Sequence, residues 1–96
     1  MIVSNEPGYY KVGHYGIRIE NLVAVNELQD FGGDRKMMTF ETLTLAPIDL
    51  ACVETSLLTG DERAWLNDYH ARVRKAHDGK VDAETAAWID QATRAI

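Results

Sequence analysis

The chain has 96 residues, of which 46% are apolar and 26% are charged, and both values are typical of a soluble globular domain. Its 15 acidic and 10 basic residues give a net charge of −5, spread along the chain without a basic patch, which argues against a nucleic-acid partner. No apolar run approaches the roughly 18–20 residues that span a bilayer, so we expect no membrane partner either.

The single cysteine, Cys52, excludes an internal disulfide and any zinc site made of several cysteines. One free thiol fits a reducing compartment, and we therefore expect a cytoplasmic protein. No basic residue neighbours Cys52 in the sequence, so it is predicted to be a small buried apolar side chain rather than a nucleophile.

The first half of the chain is predicted to be β structure. It opens on an apolar run, Met1 to Val3, with no lead-in, which indicates a strand in a piece cut from a longer protein. Asn5 to Gly8 has the composition of a turn, and residues 13–16 are predicted to form a second turn. A strand from Ile17 to Val25 and another from Met38 to Ile48 complete this half.

The second half is predicted to be helical. Thr59 and Glu62 match a capping box, and apolar residues follow at helical spacing, so a helix should begin there and end near Gly79. Asp82 is the predicted cap of a second helix, and the short link predicts a helical hairpin. Trp65 and Trp88, one on each helix, are expected in the core or at an interface with a partner subunit.

Two glutamates are candidate metal ligands by their positions. Glu6 precedes Pro7 at the end of the first strand, and Glu20 lies inside the second strand, on the same face as Arg18 and about 6–7 Å from it. If residues 7–16 return the chain, both carboxylates point at one place. Divalent ions favour such oxygen donors, but an exposed Arg18–Glu20 ion pair accounts for the same residues, so the spacing leaves both interpretations open.

Longer motifs resemble one family. The segments from Ser4 to Tyr10 and from Gly16 to Asn21 resemble the last two metal-ligand segments of aminopeptidase P, a pita-bread metallopeptidase. Residues 40–49 are similar to the segment that follows in its long, three-domain form. Residues 56–59 and 65–70 are similar to the C-terminal extension of that form. The four motifs occur in order across nearly the whole chain.

The resemblance implies an α+β fold, with residues 1–48 as the C-terminal part of the pita-bread catalytic sheet of antiparallel strands and residues 49–96 as the helical extension. It implies a metal-dependent Xaa-Pro aminopeptidase that removes the residue before a proline at the second position of a peptide. In that family two divalent ions, usually manganese, are held by two aspartates, one histidine and two glutamates, and a hydroxide between the ions attacks the peptide carbonyl.

The resemblance also assigns roles to individual residues. Glu6 matches a metal ligand with a proton-handling, catalytic role, and Glu20 matches the glutamate that bridges the two ions. Arg18 and Tyr10 fall where the family has groups that orient the ligands. The remaining ligands belong to segments that this sequence does not contain, and we expect the chain alone to bind little or no metal and to be inactive.

The three histidines do not match the ligand motifs. We interpret His14 as facing solvent, His70 as a packing residue of the first helix, and His77 as a cation suited to the C-terminal end of that helix. Two other functions stay open: an interaction module in which the helical half forms a homodimer, and a pita-bread relative that lost catalysis.

Overall fold

The structure, a computed structural model, describes all residues from Met1 to Ile96. The chain divides into two compact units, residues 1–44 and residues 45–96. The first unit contains every β-strand and the second contains both α-helices. The predicted α+β fold with antiparallel strands and a helical hairpin is therefore confirmed. Neither helix combines the length and the apolar character that a bilayer-spanning helix requires.

The β unit consists of two antiparallel sheets. A three-stranded sheet has the order β1-β4-β5, and a two-stranded sheet pairs β2 with β3. Val23, in the central strand β4, is buried, whereas Ile2 and Phe40 on the flanking strands are exposed. The strands are β1 (Ile2–Asn5), β2 (Gly8–Lys11), β3 (Tyr15–Arg18), β4 (Asn21–Val25) and β5 (Phe40–Thr42).

The chain reverses direction at one predicted turn and not at the other. The tight turn lies at residues 12–14, where Gly13 has a φ of +74° that favours glycine. The predicted turn at Asn5 to Gly8 is wrong, because β1 passes into β2 there and the chain does not fold back. Gly16 belongs to β3 and not to the turn.

The strand predicted from Ile17 to Val25 is interrupted at residues 19 and 20, so that Glu20 lies in the break between β3 and β4 rather than inside a strand. The reason lies in the opposing segment. Pro7 has no N–H to donate. Only a single hydrogen bond, from Ile19 N to Pro7 O at 3.1 Å, therefore joins the two segments at this point.

The strand predicted from Met38 to Ile48 is also much shorter, because only Phe40–Thr42 pairs as β5. Beyond it, Thr44 Oγ1 accepts a hydrogen bond from Leu22 N at 2.8 Å. A side-chain oxygen thus takes the place of a backbone carbonyl as the next partner of β4. The following segment is bonded to the first helix instead. Tyr69 Oη donates to Ala46 O at 2.9 Å, and Ile48 N donates to His70 Nε2 at 3.0 Å.

The helical unit forms as the capping signals predict. α1 spans Gly60–His77, with the reciprocal Thr59–Glu62 capping box in place. α2 spans Ala83–Ala92, and the Asp82 side chain accepts from Thr85 N at 2.8 Å. Gly79, with a φ of +69°, lies in the link between the helices. Two short 3₁₀ turns, Leu50–Cys52 and Thr55–Leu57, precede α1.

One apolar cluster lies at the centre of the helical unit. Leu66, Tyr69 and Val73 of α1 are buried in it, and residues from both ends of the unit pack against them: Leu45, Ile48, Leu50, Val53 and Ile96. Trp65 and Trp88 are 51% and 62% exposed, so the prediction of a core position is wrong for both. Cys52 is exposed as well, contrary to the expectation of a buried thiol.

Candidate functional site

The two strand pairs place Glu6 and Glu20 opposite each other. Asn5 pairs with Asn21 in one sheet, and Gly8 pairs with Arg18 in the other. The two ladders have the same register. Residues 6 and 7, between β1 and β2, therefore lie opposite residues 20 and 19, between β3 and β4. Strand alternation then puts three pairs on one face of the ribbon: Glu6 with Glu20, Gly8 with Arg18, and Tyr10 with Gly16.

Arg18 lies between the two glutamates. Its Nη2 is 2.8 Å from Glu20 Oε2, and its Nη1 is 3.4 Å from Glu6 Oε2. The guanidinium has nitrogen donors in a planar fork, which is why one arginine can contact two carboxylates at once. The structure thus confirms that Glu6 and Glu20 are brought to one place.

Further polar groups hold this arrangement. Ser4 Oγ donates to Glu6 Oε1 at 2.9 Å, which leaves the other carboxylate oxygen for Arg18. The Tyr10 hydroxyl is a polar neighbour of the Arg18 guanidinium and favours its charged form. The charge of Glu20 first, and the polar interaction with Tyr10 next, raise the pKa of the Arg18 guanidinium above its ordinary value.

The contact of Ser4 with Glu6 was not predicted from the sequence. Ser4 lies two residues before Glu6, and residues separated by two in an extended chain share a face. This spacing is the feature of the sequence that could have predicted the contact. Many exposed serines have the same spacing to an acid without bonding to it, so the spacing alone does not predict the bond. Only the pairing of β1 with β4 fixes the direction in which both side chains point.

Carboxylate oxygens are ligands suited to hard or borderline divalent ions, and Glu6 and Glu20 are the donors that this ribbon supplies. Their exposure, with side chains 47% and 39% accessible, leaves the oxygens open to a further partner. Across residues 1–96, no three His, Cys, Asp or Glu side chains cluster closely enough to hold a metal ion. The pair fits part of a metal site, and its role as ligands stays a prediction.

The histidines have other roles. His14 lies exposed in the turn between β2 and β3, as expected. His70 is fully buried, and its Nε2 accepts from Ile48 N, so Nδ1 carries the ring hydrogen and has no partner. Burial first, and the nearby charge of Arg74 second, lower the pKa of His70. His77 Nε2 is 2.9 Å from Leu45 O, a specific bond that the helix-dipole interpretation did not include.

Residues 36–96 match the family model described as the C-terminal region of peptidase M24. The chain belongs to the peptidase M24 family. Within M24, the predicted resemblance to aminopeptidase P is confirmed by relatives that cover the whole chain.

Two relatives illustrate the match. A protein of Coprinopsis cinerea named probable Xaa-Pro aminopeptidase P is 52% identical over 100 residues, which is 100% of this chain and 16% of the relative. A protein of the same name from Arthroderma benhamiae is 44% identical over 99 residues, or 99% of this chain and 14% of the relative. The chain therefore spans about one-sixth of the length of these M24 proteins.

A solved structure shows the same fold. The X-prolyl aminopeptidase of Caenorhabditis elegans, described as a cytosolic enzyme with a di-nuclear active site, superposes with a TM-score of 0.84 at 36% identity. The match covers 99% of this chain and 16% of the other. The antiparallel strands and the helical hairpin are thus part of the pita-bread aminopeptidase P fold.

Proposed function

We propose that this chain supplies Glu6 and Glu20 as two of the metal ligands of a metal-dependent Xaa-Pro aminopeptidase. The observation that carries the proposal is the approach of both carboxylates to the Arg18 guanidinium, at 3.4 and 2.8 Å, from opposite strands of one ribbon. Relatives named Xaa-Pro aminopeptidase match across the same residues. The substrates would be peptides with proline at the second position.

Each residue has a proposed role. Glu6 would bind one ion and handle a proton during the reaction, and Glu20 would bridge two ions. Arg18 and Tyr10 would orient the carboxylates, since groups around metal ligands fix their geometry. When bound, two divalent ions, manganese in our proposal, supply an activated water and polarise the peptide carbonyl.

The proposed organisation follows the resemblance. Residues 1–48 would belong to the catalytic domain and residues 49–96 to the helical extension, and the active protein would be cytoplasmic, without a nucleic-acid or membrane partner. Two carboxylates cannot hold two ions without further ligands. We therefore propose that the 96-residue chain alone binds little or no manganese and does not cleave Xaa-Pro peptides.

The test is a chimera in which this chain replaces the matching 100 residues of the Coprinopsis cinerea relative. We expect manganese-dependent release of the residue before proline, and near-complete loss of activity in Glu6→Gln and in Glu20→Gln. Glu41→Gln, an exposed glutamate on β5, is the matched control and should retain activity.

The outcomes separate the candidate functions. Full activity in both Glu6→Gln and Glu20→Gln would contradict the proposed ligand roles. An inactive wild-type chimera that is folded by circular dichroism would favour a relative without catalysis. Cleavage by the 96-residue chain alone would contradict the proposal that it is incomplete.

The exposure of two tryptophans favours a second role, homodimerisation through the helical unit. Trp65 stacks on Tyr69, with ring centroids 5.3 Å apart and an interplanar angle of 7°, yet about half of its surface remains accessible. Trp88 is exposed on α2. Large aromatic residues are enriched at protein interfaces. Sedimentation equilibrium should show a dimer that Trp88→Ala weakens, whereas a strict monomer at high concentration would contradict this role.

A further inference from the structure

The Tyr10 ring lies across the ribbon face that carries the two glutamates. Tyr10 and Gly16 are paired across β2 and β3, and Gly8 and Arg18 are the next pair on the same face. Tyr10 and Arg18 therefore occupy one diagonal of this four-residue square, and the two glycines occupy the other. The Tyr10 side chain extends towards Arg18 through the space above the glycines.

Neither glycine leaves room for a side chain in that space. A Cβ built on Gly16 would lie 2.7 Å from Cδ1 and 3.1 Å from Cε1 of the Tyr10 ring. A Cβ on Gly8 would lie 2.9 Å from the Tyr10 hydroxyl, 3.0 Å from Cε2 and 3.0 Å from the backbone carbonyl oxygen of Ile17. Real Cβ atoms do not approach other atoms to 2.7 Å, so alanine at position 16 requires the ring to move.

Backbone conformation does not explain these two glycines. The glycines with positive φ are Gly13, Gly32 and Gly79, and neither Gly8 nor Gly16 is among them. A glycine inside a strand weakens the strand and often marks a close approach of another group. Here the group that approaches Gly16 is the Tyr10 ring alone, and the groups that approach Gly8 are the Tyr10 ring and the Ile17 carbonyl.

We propose that Gly8 and Gly16 are positioning residues of the candidate site: their missing side chains let the Tyr10 ring lie flat across the ribbon and hold Arg18 between Glu6 and Glu20. The expected effect on catalysis rests on the proposed function, in which Arg18, Glu6 and Glu20 belong to the metal site. The placement of the Tyr10 ring over the glycines can be tested without catalysis.

The first experiment uses nuclear magnetic resonance on the 96-residue chain. An aromatic ring face shifts the protons beneath it upfield, so the α-protons of Gly8 and Gly16 should be shifted upfield, and Tyr10→Leu should abolish the shift. Gly16→Ala should move the Gly8 α-proton towards its position in Tyr10→Leu. Gly33→Ala is the matched control, since a Cβ there meets no atom within 4 Å and its φ is not positive. A Gly8 α-proton that Gly16→Ala leaves unmoved would overturn the inference.

The second experiment measures kcat/KM in the chimera. Gly16→Ala should lower it about tenfold, the size expected for the loss of one hydrogen bond to a charged group. In a Tyr10→Phe background, which lacks the hydroxyl, Gly16→Ala should cause little further loss. Equal losses in both backgrounds would show that Gly16 does not act through the Tyr10 hydroxyl, and would contradict the proposal.

The two experiments separate this inference from the proposed function. If the wild-type chimera is inactive, the proposed function fails, and the α-proton shifts of the chain still decide whether the glycines position Tyr10. If the chimera is active and Gly16→Ala behaves like Gly33→Ala in both measurements, the proposed function stands and the role of the glycines is refuted.

Discussion

Asn5 and Asn21 are directly paired across β1 and β4, one residue before Glu6 and one residue after Glu20. This pairing fixes where the two carboxylates leave the sheet. It also explains why residues 14 positions apart in the sequence reach one guanidinium. The candidate site is therefore a property of the register of one long, interrupted ribbon and not of a local motif.

Arg18 should be sensitive to the shape of its side chain as well as to its charge. In the chimera, Arg18→Gln should lower kcat/KM by about 10–100-fold, the usual effect of removing a group that orients metal ligands. Arg18→Lys should restore only part of the activity, because an ammonium is a compact charge without the planar fork that contacts both carboxylates. Arg35→Gln, in the exposed loop, is the control.

The same substitution should change stability little. The Arg18 pairs are about half exposed, and exposed ion pairs contribute roughly 0–1 kcal/mol. A loss of stability in Arg18→Gln large enough to unfold the β unit, measured by circular dichroism, would show that the arginine serves folding rather than the site. Full activity in Arg18→Lys would contradict the need for the guanidinium.

His70 should make the helical unit less stable in acid. Its Nε2 accepts from Ile48 N, and a protonated ring has no acceptor to offer. Because burial lowers the pKa of His70 in the folded protein, the unfolded chain binds the proton first. Stability is then complete above about pH 6.5, the ordinary histidine pKa, and falls as the pH drops towards the folded pKa, by up to about 1.4 kcal/mol per pH unit.

Urea unfolding followed by tryptophan fluorescence measures this effect, because both tryptophans lie in residues 45–96. The free energy of unfolding of the wild type should fall between pH 7.5 and pH 5, and that of His70→Gln should fall less. The exposed His14→Gln should behave like the wild type. Identical pH profiles for His70→Gln and the wild type would refute the prediction.

The capping box of α1 should contribute measurably to the helical unit. Thr59 Oγ accepts from Glu62 N at 3.1 Å, and Glu62 Oε2 accepts from Thr59 N at 2.9 Å. Thr59→Ala should reduce the free energy of unfolding by about 1 kcal/mol. Thr55→Ala, in the preceding 3₁₀ turn, removes the same hydroxyl without a cap and should cost less. Equal losses in the two variants would argue against the cap.

Leu66 and Leu57 offer a matched test of the apolar cluster. Leu66 is 6% exposed in the α1 core, whereas Leu57 is 80% exposed. Leu66→Ala should reduce the free energy of unfolding by about 2–5 kcal/mol, since it removes buried methyl groups and leaves a cavity. Leu57→Ala should change it little. A cost below about 1 kcal/mol for Leu66→Ala would show that the cluster does not hold the helical unit together.

The helices were predictable from sequence because their signals are local. The Thr59 cap, the Asp82 cap and the Gly79 link each depend on residues within one turn of the helix, and all three appear where predicted. The apolar residues at helical spacing form a stripe on α1, and in it Leu66, Tyr69 and Val73 are buried, Ala76 is half-buried and Trp65 is exposed. Trp65 lies at the edge of the stripe and stacks on Tyr69 with one face exposed.

The predicted strand boundaries were wrong because the ends of a strand depend on pairing partners that are distant in sequence. The alternation of apolar and polar residues continues through residues 19 and 20. The ladder breaks there because Pro7, in the opposing segment between β1 and β2, has no N–H. The segment after β5 has strand composition, yet α1 side chains satisfy its backbone groups at Ala46 and Ile48. The proximity of Glu6 and Glu20 was predictable because it requires only that residues 7–16 return the chain. The position of the Tyr10 ring depends on side-chain packing across β2 and β3, which strand alternation alone does not fix.

The central claim is that Glu6 and Glu20 are ligands of one two-ion site, and metal stoichiometry of the chimera tests it most directly. After equilibrium dialysis at a free manganese concentration that saturates the wild-type chimera, we expect two ions per wild-type chain and two for Glu41→Gln, with fewer in Glu6→Gln and in Glu20→Gln. If both glutamine variants retain two ions at unchanged affinity, the two carboxylates are not ligands and the proposed function of this ribbon is wrong.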